Sequence, residues 1–67
     1  MASVYGEARR DLLRAHWHME QTFKRLVWIR DTYKDHLVIA QPVETAMDAV
    51  AALSELLLET HKTLATL

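Results

Sequence analysis

Residues 37–42 read Leu-Val-Ile-Ala-Gln-Pro, and Pro42 is the only proline in the 67-residue chain. A residue that precedes proline disfavours helical backbone angles, whereas proline itself suits the first turn of a helix. The stretch therefore predicts a turn over residues 37–41 and a helix that begins at Pro42. We expect Val38 and Ile39 to form an apolar plug that closes this end of the molecule.

The segment before this turn predicts one long amphipathic helix over about residues 4–36. It contains no proline and a single glycine, and its apolar residues recur at steps of three and four. Ser3 is a candidate N-cap residue for this helix. One stripe of the helix is expected to form the hairpin core, through Leu12, Met19, Phe23, Leu26 and Tyr33.

The segment after the turn predicts a second, shorter helix over about residues 42–65. Its core positions are Val50, Leu53, Leu57 and Leu64, and apolar residues cover more than half of its circumference. A narrow strip with four acidic residues faces water. Because so apolar a helix requires more than one neighbour, we expect helix 1 on one side and a second chain on another.

These elements predict an all-α, single-domain antiparallel hairpin whose longer first helix extends about two turns beyond its partner. A chain of this size buries little surface and is marginally stable alone. It has no cysteine, so neither a disulfide nor a thiolate zinc site can reinforce it. We therefore expect two hairpins to form a homodimeric four-helix bundle.

The formal net charge of −1 provides no overall field that would attract DNA or an anionic membrane. The halves differ, because residues 1–36 carry seven of the eight basic side chains whereas residues 37–67 carry Lys62 against four acids. No stretch approaches a membrane span of about 18 uncharged apolar residues, and the N-terminus does not resemble a signal peptide. We expect a cytoplasmic protein that does not bind membranes.

A second stripe on helix 1, roughly opposite the hairpin core, combines two tryptophans with basic residues. Trp17 and Trp28 are eleven residues apart, which is three helical turns, so they point the same way. Tryptophan and arginine are the residue types that anchor protein interfaces. The stripe is the dimer interface, the binding site for a different protein, or a set of scattered surface aromatics, and it consists of Arg10, Leu13, Arg14, Trp17, Gln21, Lys24 and Trp28.

The same stripe has an RNA-binding interpretation, because aromatic rings stack on unpaired bases while basic side chains hold phosphates. In length and hairpin layout the chain resembles the Rop-type RNA-binding hairpin dimers, in which faces of helix 1 carry that function. The resemblance includes no motif, so it assigns no residue a role. Three acidic residues border the stripe (Glu20, Asp31 and Asp35), which makes RNA the less favoured partner.

The histidines do not suggest a metal site. His16 and His18 are two residues apart, so on a helix they diverge by about 200° and cannot chelate one ion. We expect His16 and His61 to be partly buried and hydrogen-bonded to a hydroxyl, a carboxylate or each other. Arg30 lies within the core stripe, and we expect it to extend to water or to pair with the acidic strip of helix 2.

No residue cluster predicts catalysis, a cofactor or a bound metal, so we expect a protein that is not an enzyme. The favoured hypothesis is a small regulator, of the adaptor or inhibitor type, that binds another protein through the tryptophan stripe. The alternatives are an RNA-binding dimer and a structural subunit of a larger assembly, in which a different chain would cover helix 2.

Overall fold

The computed structural model describes residues 4–67 and consists of two helices that pack side by side. Helix α1 spans Val4–Thr32 and helix α2 spans Leu37–Ala65, which confirms the all-α hairpin of two helices. The proposed N-cap residue, Ser3, lies outside the described residues. The second helix is as long as the first, because each contains 29 residues. The predicted overhang of helix 1 is therefore wrong.

The turn starts four residues earlier and ends five residues earlier than the sequence pattern suggested. It comprises residues 33–36, and the backbone N–H of His36 donates to the carbonyl oxygen of Tyr33 at 2.9 Å. His36 precedes the first residue of α2, and its carbonyl accepts the N–H groups of Ile39 and Ala40, both at 2.9 Å. The predicted turn at 37–41 is thus the first turn of α2, and α1 ends at Thr32 rather than near residue 36.

Pro42 lies inside α2, at the sixth helical position, rather than at its start. A proline at this depth removes one backbone hydrogen bond, the one that would reach the carbonyl of Val38. The helix tolerates the loss because Ala40, Val43 and Met47 follow helical spacing and continue the core stripe on both sides of the proline. Burial of this stripe outweighs the local preference of proline for a helix terminus.

The apolar plug predicted at the turn is absent from the structure. Val38 is 91 % exposed, whereas Ala40 is only 6 % exposed and fills the space between the helices near the turn. The shift of the turn explains the difference. Once residues 37–41 are helical, Val38 points away from α1 and Ala40 points towards it.

The hairpin core is thin. Within residues 4–67 only Ala40 and Met47 are buried apolar residues. Most predicted core residues are half-buried along the helix contact: Leu12, Met19, Phe23, Leu26, Val50, Leu57 and Leu64. Tyr33 and Leu53 do not belong to this core, because they are 39 % and 51 % exposed. Tyr33 lies in the turn, and Leu53 points to one side of the helix contact.

The molecule is a rod rather than a globule. Its principal extents are 53 × 15 × 11 Å and its radius of gyration is 15.4 Å. A compact chain of this length has a radius of gyration of about 11 Å. Two helices form a single layer, so each one buries a single side and leaves the others exposed to solvent.

Candidate protein-binding face

The candidate site is the side of α1 that points away from α2, which we call the tryptophan face. It is defined by the seven residues of the second stripe, and every one of them is exposed in the hairpin: Arg10, Leu13, Arg14, Trp17, Gln21, Lys24 and Trp28. Helical spacing brings them to one side because they recur at steps of three and four. The structure thus places the predicted residues together on one surface.

Trp17 and Trp28 dominate this surface. They are 56 % and 55 % exposed, and three helical turns separate their Cα atoms by about 16 Å. Exposure of this extent on two large rings is costly in water, at about 25 cal/mol for each Å² of apolar area left uncovered. A partner that covered both rings would recover that free energy.

Neighbouring side chains orient the two rings. The guanidinium carbon of Arg25 lies 5.4 Å from the centre of the Trp28 ring, in a cation–π contact. The ring of His18 meets Trp17 edge to face, with centroids 5.0 Å apart. Arg25 and His18 were not predicted as site residues. The spacing of three between Arg25 and Trp28 could have identified Arg25, since residues three apart are neighbours on a helix.

The charge on the tryptophan face is mixed at its N-terminal end. Glu7 and Asp11 line the same shallow hollow as Arg10 and Arg14. Further along, Lys24 and Arg25 flank Trp28. Glu20 lies one turn before Lys24, where both line one groove, and the exposed Asp31 lies three residues after Trp28. The seven residues of the face are basic or uncharged, and acidic neighbours partly balance their positive charge along its length.

Arg30 pairs within its own helix. Its Nε lies 3.1 Å from Oδ1 of Asp31, so the predicted ion pair with the acidic strip of α2 is wrong. The residue is only half-buried, which agrees with the alternative expectation that its head extends to water. An exposed pair of this kind contributes about 0–1 kcal/mol to stability.

A hydrogen-bond network joins the two helices on a different side of the hairpin. Nδ1 of His16 lies 2.8 Å from Oγ of Ser54, and Nε2 of His16 lies 2.9 Å from Oε1 of Glu20. With the proton on Nε2, the ring donates to Glu20 and accepts from the Ser54 hydroxyl; Nδ1 also lies 3.2 Å from the backbone carbonyl oxygen of Ser54, to which it would donate in the other tautomer. The prediction of a partly buried His16 bonded to a hydroxyl and a carboxylate is confirmed, and His61 is not its partner.

The network borders an open groove of about 420 Å³ whose floor includes Met19, Phe23 and Val50. Serine, histidine and a carboxylate in a chain are the groups that activate a nucleophile in hydrolases. Ser54 lies in the middle of α2, however, so its backbone N–H is used within the helix and cannot stabilise an oxyanion. The arrangement is suited to fixing how the helices align.

The exposed side of α2 carries two separate strips. The acidic strip holds Glu44, Asp48, Glu55 and Glu59, all exposed. Next to it lies an uncharged strip with large apolar side chains, among which Leu53 is 51 % and Leu56 is 58 % exposed. The hairpin therefore has two uncovered apolar surfaces, one on each helix.

In the described part of the chain, α2 is the one helix long and apolar enough to cross a membrane, with a mean hydropathy of 1.2 in its most apolar window. This is weak support for a membrane-spanning helix, since core helices of soluble proteins have the same composition. No group of three histidine or acidic side chains within residues 4–67 is arranged to hold a metal ion.

Comparison with known proteins adds no relative from which a function could be transferred. No protein-family model matches the chain, and neither a curated protein nor a solved structure is significantly similar to it.

Proposed function

We propose that this chain is a non-enzymatic regulator that binds another protein through the tryptophan face and acts as a homodimeric helical bundle. The observation that carries the proposal is that all seven residues of that face are exposed, with Trp17 and Trp28 both more than half accessible. Interface hot spots are enriched in tryptophan and arginine because these side chains desolvate large areas and form directional bonds.

The geometry of the face describes the partner surface. It would offer two apolar pockets about 16 Å apart for the indole rings and carboxylates opposite Lys24 and Arg25. A groove between two helices of the partner meets both requirements, since α1 would lie along it as an amphipathic helix. Glu7 and Asp11 disfavour RNA as the partner, because they would repel phosphates next to Arg10 and Arg14.

Affinity capture with the full chain tests the proposal. A protein that is captured by the wild type and then purified should bind it directly, and the Trp17→Ala, Trp28→Ala double variant should weaken binding at least 100-fold, as expected for two hot-spot residues. The matched control is Glu44→Ala, at an exposed position in the acidic strip of α2, which should bind with unchanged affinity. Equal binding by the tryptophan variant and the wild type would exclude this face as the binding site.

Intrinsic fluorescence provides an independent readout, because both tryptophans of the chain lie on the proposed face. Binding of the purified partner should shift the emission to shorter wavelength and protect it from acrylamide quenching. No change in either signal at saturation would contradict the proposal.

Two outcomes would favour the alternatives. Retardation of a structured RNA by the wild type, with an affinity that falls steeply with salt, would indicate RNA binding. An insoluble or aggregated isolated chain that becomes soluble with a different protein bound to α2 would indicate a subunit of a larger assembly.

A further inference from the structure

The uncharged strip of α2 extends along most of the helix. It consists of Pro42, Thr45, Ala49, Ala52, Leu53, Leu56, Thr60 and Thr63, and all eight residues are exposed. On a helical projection they occupy an arc of about 100°, while the five charged residues of α2 fall within a separate arc of about 60°. An exposed helix normally distributes charge over its solvent side, so this segregation requires an explanation.

The threonines make the strip more apolar than its composition suggests. The hydroxyl of Thr60 donates to the carbonyl oxygen of Leu56 at 2.9 Å, and the hydroxyl of Thr45 donates to that of Gln41 at 3.3 Å. Thr63 bonds to Glu59 in the same way, at 3.1 Å. Because each hydroxyl is satisfied within its own helix, the strip presents methyl groups and aliphatic side chains outwards.

The accessible surface area of the hairpin is larger than that expected for a folded chain of its mass. The chain exposes 5316 Å², whereas a folded single-chain protein of 7.8 kDa exposes about 4,400 Å². The excess of about 900 Å² per chain is close to the roughly 800 Å² that each partner contributes to a stable interface. An interface of ordinary size with one partner would bury about this excess.

We propose that the uncharged strip of α2 is where a second copy of this chain docks, so that the tryptophan face remains outside the dimer. The strip suits self-pairing because it holds no charge that a two-fold axis would bring against itself. Ala49 and Ala52 allow close approach of the helices, and Leu53 and Leu56 supply the apolar area. The dimer then presents two identical tryptophan faces on its outer sides.

This proposal rests on the proposed homodimer and adds that the uncharged strip of α2 forms the interface between its two chains. The first test compares two double variants of the full chain by sedimentation equilibrium. Leu53→Glu with Leu56→Glu should lower the mass from that of two chains to that of one, whereas Trp17→Glu with Trp28→Glu should leave the dimer intact. The reverse pattern would overturn the assignment of the face while leaving the dimer itself in place.

A cysteine cross-link tests the same face without disrupting folding, since the chain has no cysteine of its own. Two 29-residue helices that overlap fully about a two-fold axis bring their middle residues together, and Leu53 lies close to the middle of α2. Under mild oxidation Leu53→Cys should form a covalent dimer, and Gln21→Cys on the tryptophan face should not. Efficient cross-linking of Gln21→Cys alone would overturn the proposal.

Dilution monitored by tryptophan emission completes the test. As the wild type dissociates, its mass should halve while the emission maximum stays constant, because neither ring lies in the interface. A red shift that follows dissociation would place the rings at the contact. A monomeric wild type that binds neutral phosphatidylcholine vesicles through α2 would also overturn the proposal, by assigning the strip to a lipid surface.

Discussion

His16 forms a side-chain hydrogen bond that joins the two helices. Its ring lies between Ser54 on α2 and Glu20 one turn further along α1, and both ring nitrogens therefore have partners. Within residues 4–67 the helix contact consists mainly of apolar side chains such as Met19, Phe23 and Val50, and apolar contacts tolerate a small shift of one helix along the other better than a hydrogen bond does. A directional bond at 2.8 Å does not tolerate such a shift, so we interpret it as the contact that sets the alignment.

The bond between His16 and Ser54 should be measurable as a coupling energy. In a double-mutant cycle of His16→Ala and Ser54→Ala we expect a coupling of about 1 kcal/mol, the usual contribution of one hydrogen bond. Subtraction of the single-variant effects cancels the stability that each alanine gains from its higher helix propensity. Urea unfolding of the four proteins at one fixed concentration provides the free energies.

A control cycle pairs His16→Ala with Thr60→Ala, whose hydroxyl bonds only within α2. These two changes should be additive within about 0.5 kcal/mol. Coupling of the same size in both cycles would mean that the His16 bond has no specific role.

At the scale of the elements, the sequence predicted both helices from the spacing of their apolar residues, and the structure confirms them. The sequence pattern placed the turn too late in the chain because Pro42 was interpreted as the first residue of helix 2. The local preference of proline is a single-residue effect, whereas the stripe through Ala40, Val43 and Met47 is a tertiary effect that becomes apparent only when α1 is packed against it. The polar residues Lys34 and Asp35 were the better signal for the turn.

Replacement of the proline distinguishes the two placements of the turn. Pro42→Ala should raise the free energy of unfolding by roughly 2 kcal/mol, because it restores a backbone hydrogen bond inside α2 and removes a clash with the preceding turn. Gln41→Ala, at the adjacent exposed position, should change it by less than about 0.5 kcal/mol.

If Pro42 stood at the first position of the helix, its replacement would instead be neutral or destabilising, since proline is favourable there. A loss of stability in Pro42→Ala would therefore contradict a helix that begins at Leu37. Chemical denaturation of both variants at equal concentration decides between the two placements.

At the scale of the whole molecule, the tryptophan face was predictable because eleven residues, three turns, separate Trp17 from Trp28. Which of the two uncovered surfaces serves the dimer was not predictable in the same way. That distinction depends on the threonine hydroxyls of α2 bonding within their helix and on Leu53 remaining 51 % exposed once α1 packs against α2, and the sequence alone gives neither. The chain length did indicate that two helices alone make a thin core.

Self-association should make the stability depend on protein concentration. Because the proposed pairing would stabilise the folded chain and not the unfolded one, a tenfold dilution should lower the melting temperature by several degrees, as mass action requires. Thermal unfolding followed by circular dichroism at three concentrations measures this shift. A melting temperature that is independent of concentration would indicate a hairpin that is stable as a single chain.

The most direct test of the dimer is the mass of the wild-type chain in solution. Sedimentation equilibrium at micromolar concentration should yield one species with twice the 7.8 kDa of the chain. A monodisperse, fully helical species of 7.8 kDa under the same conditions would contradict the dimer and the role assigned to the uncharged strip of α2.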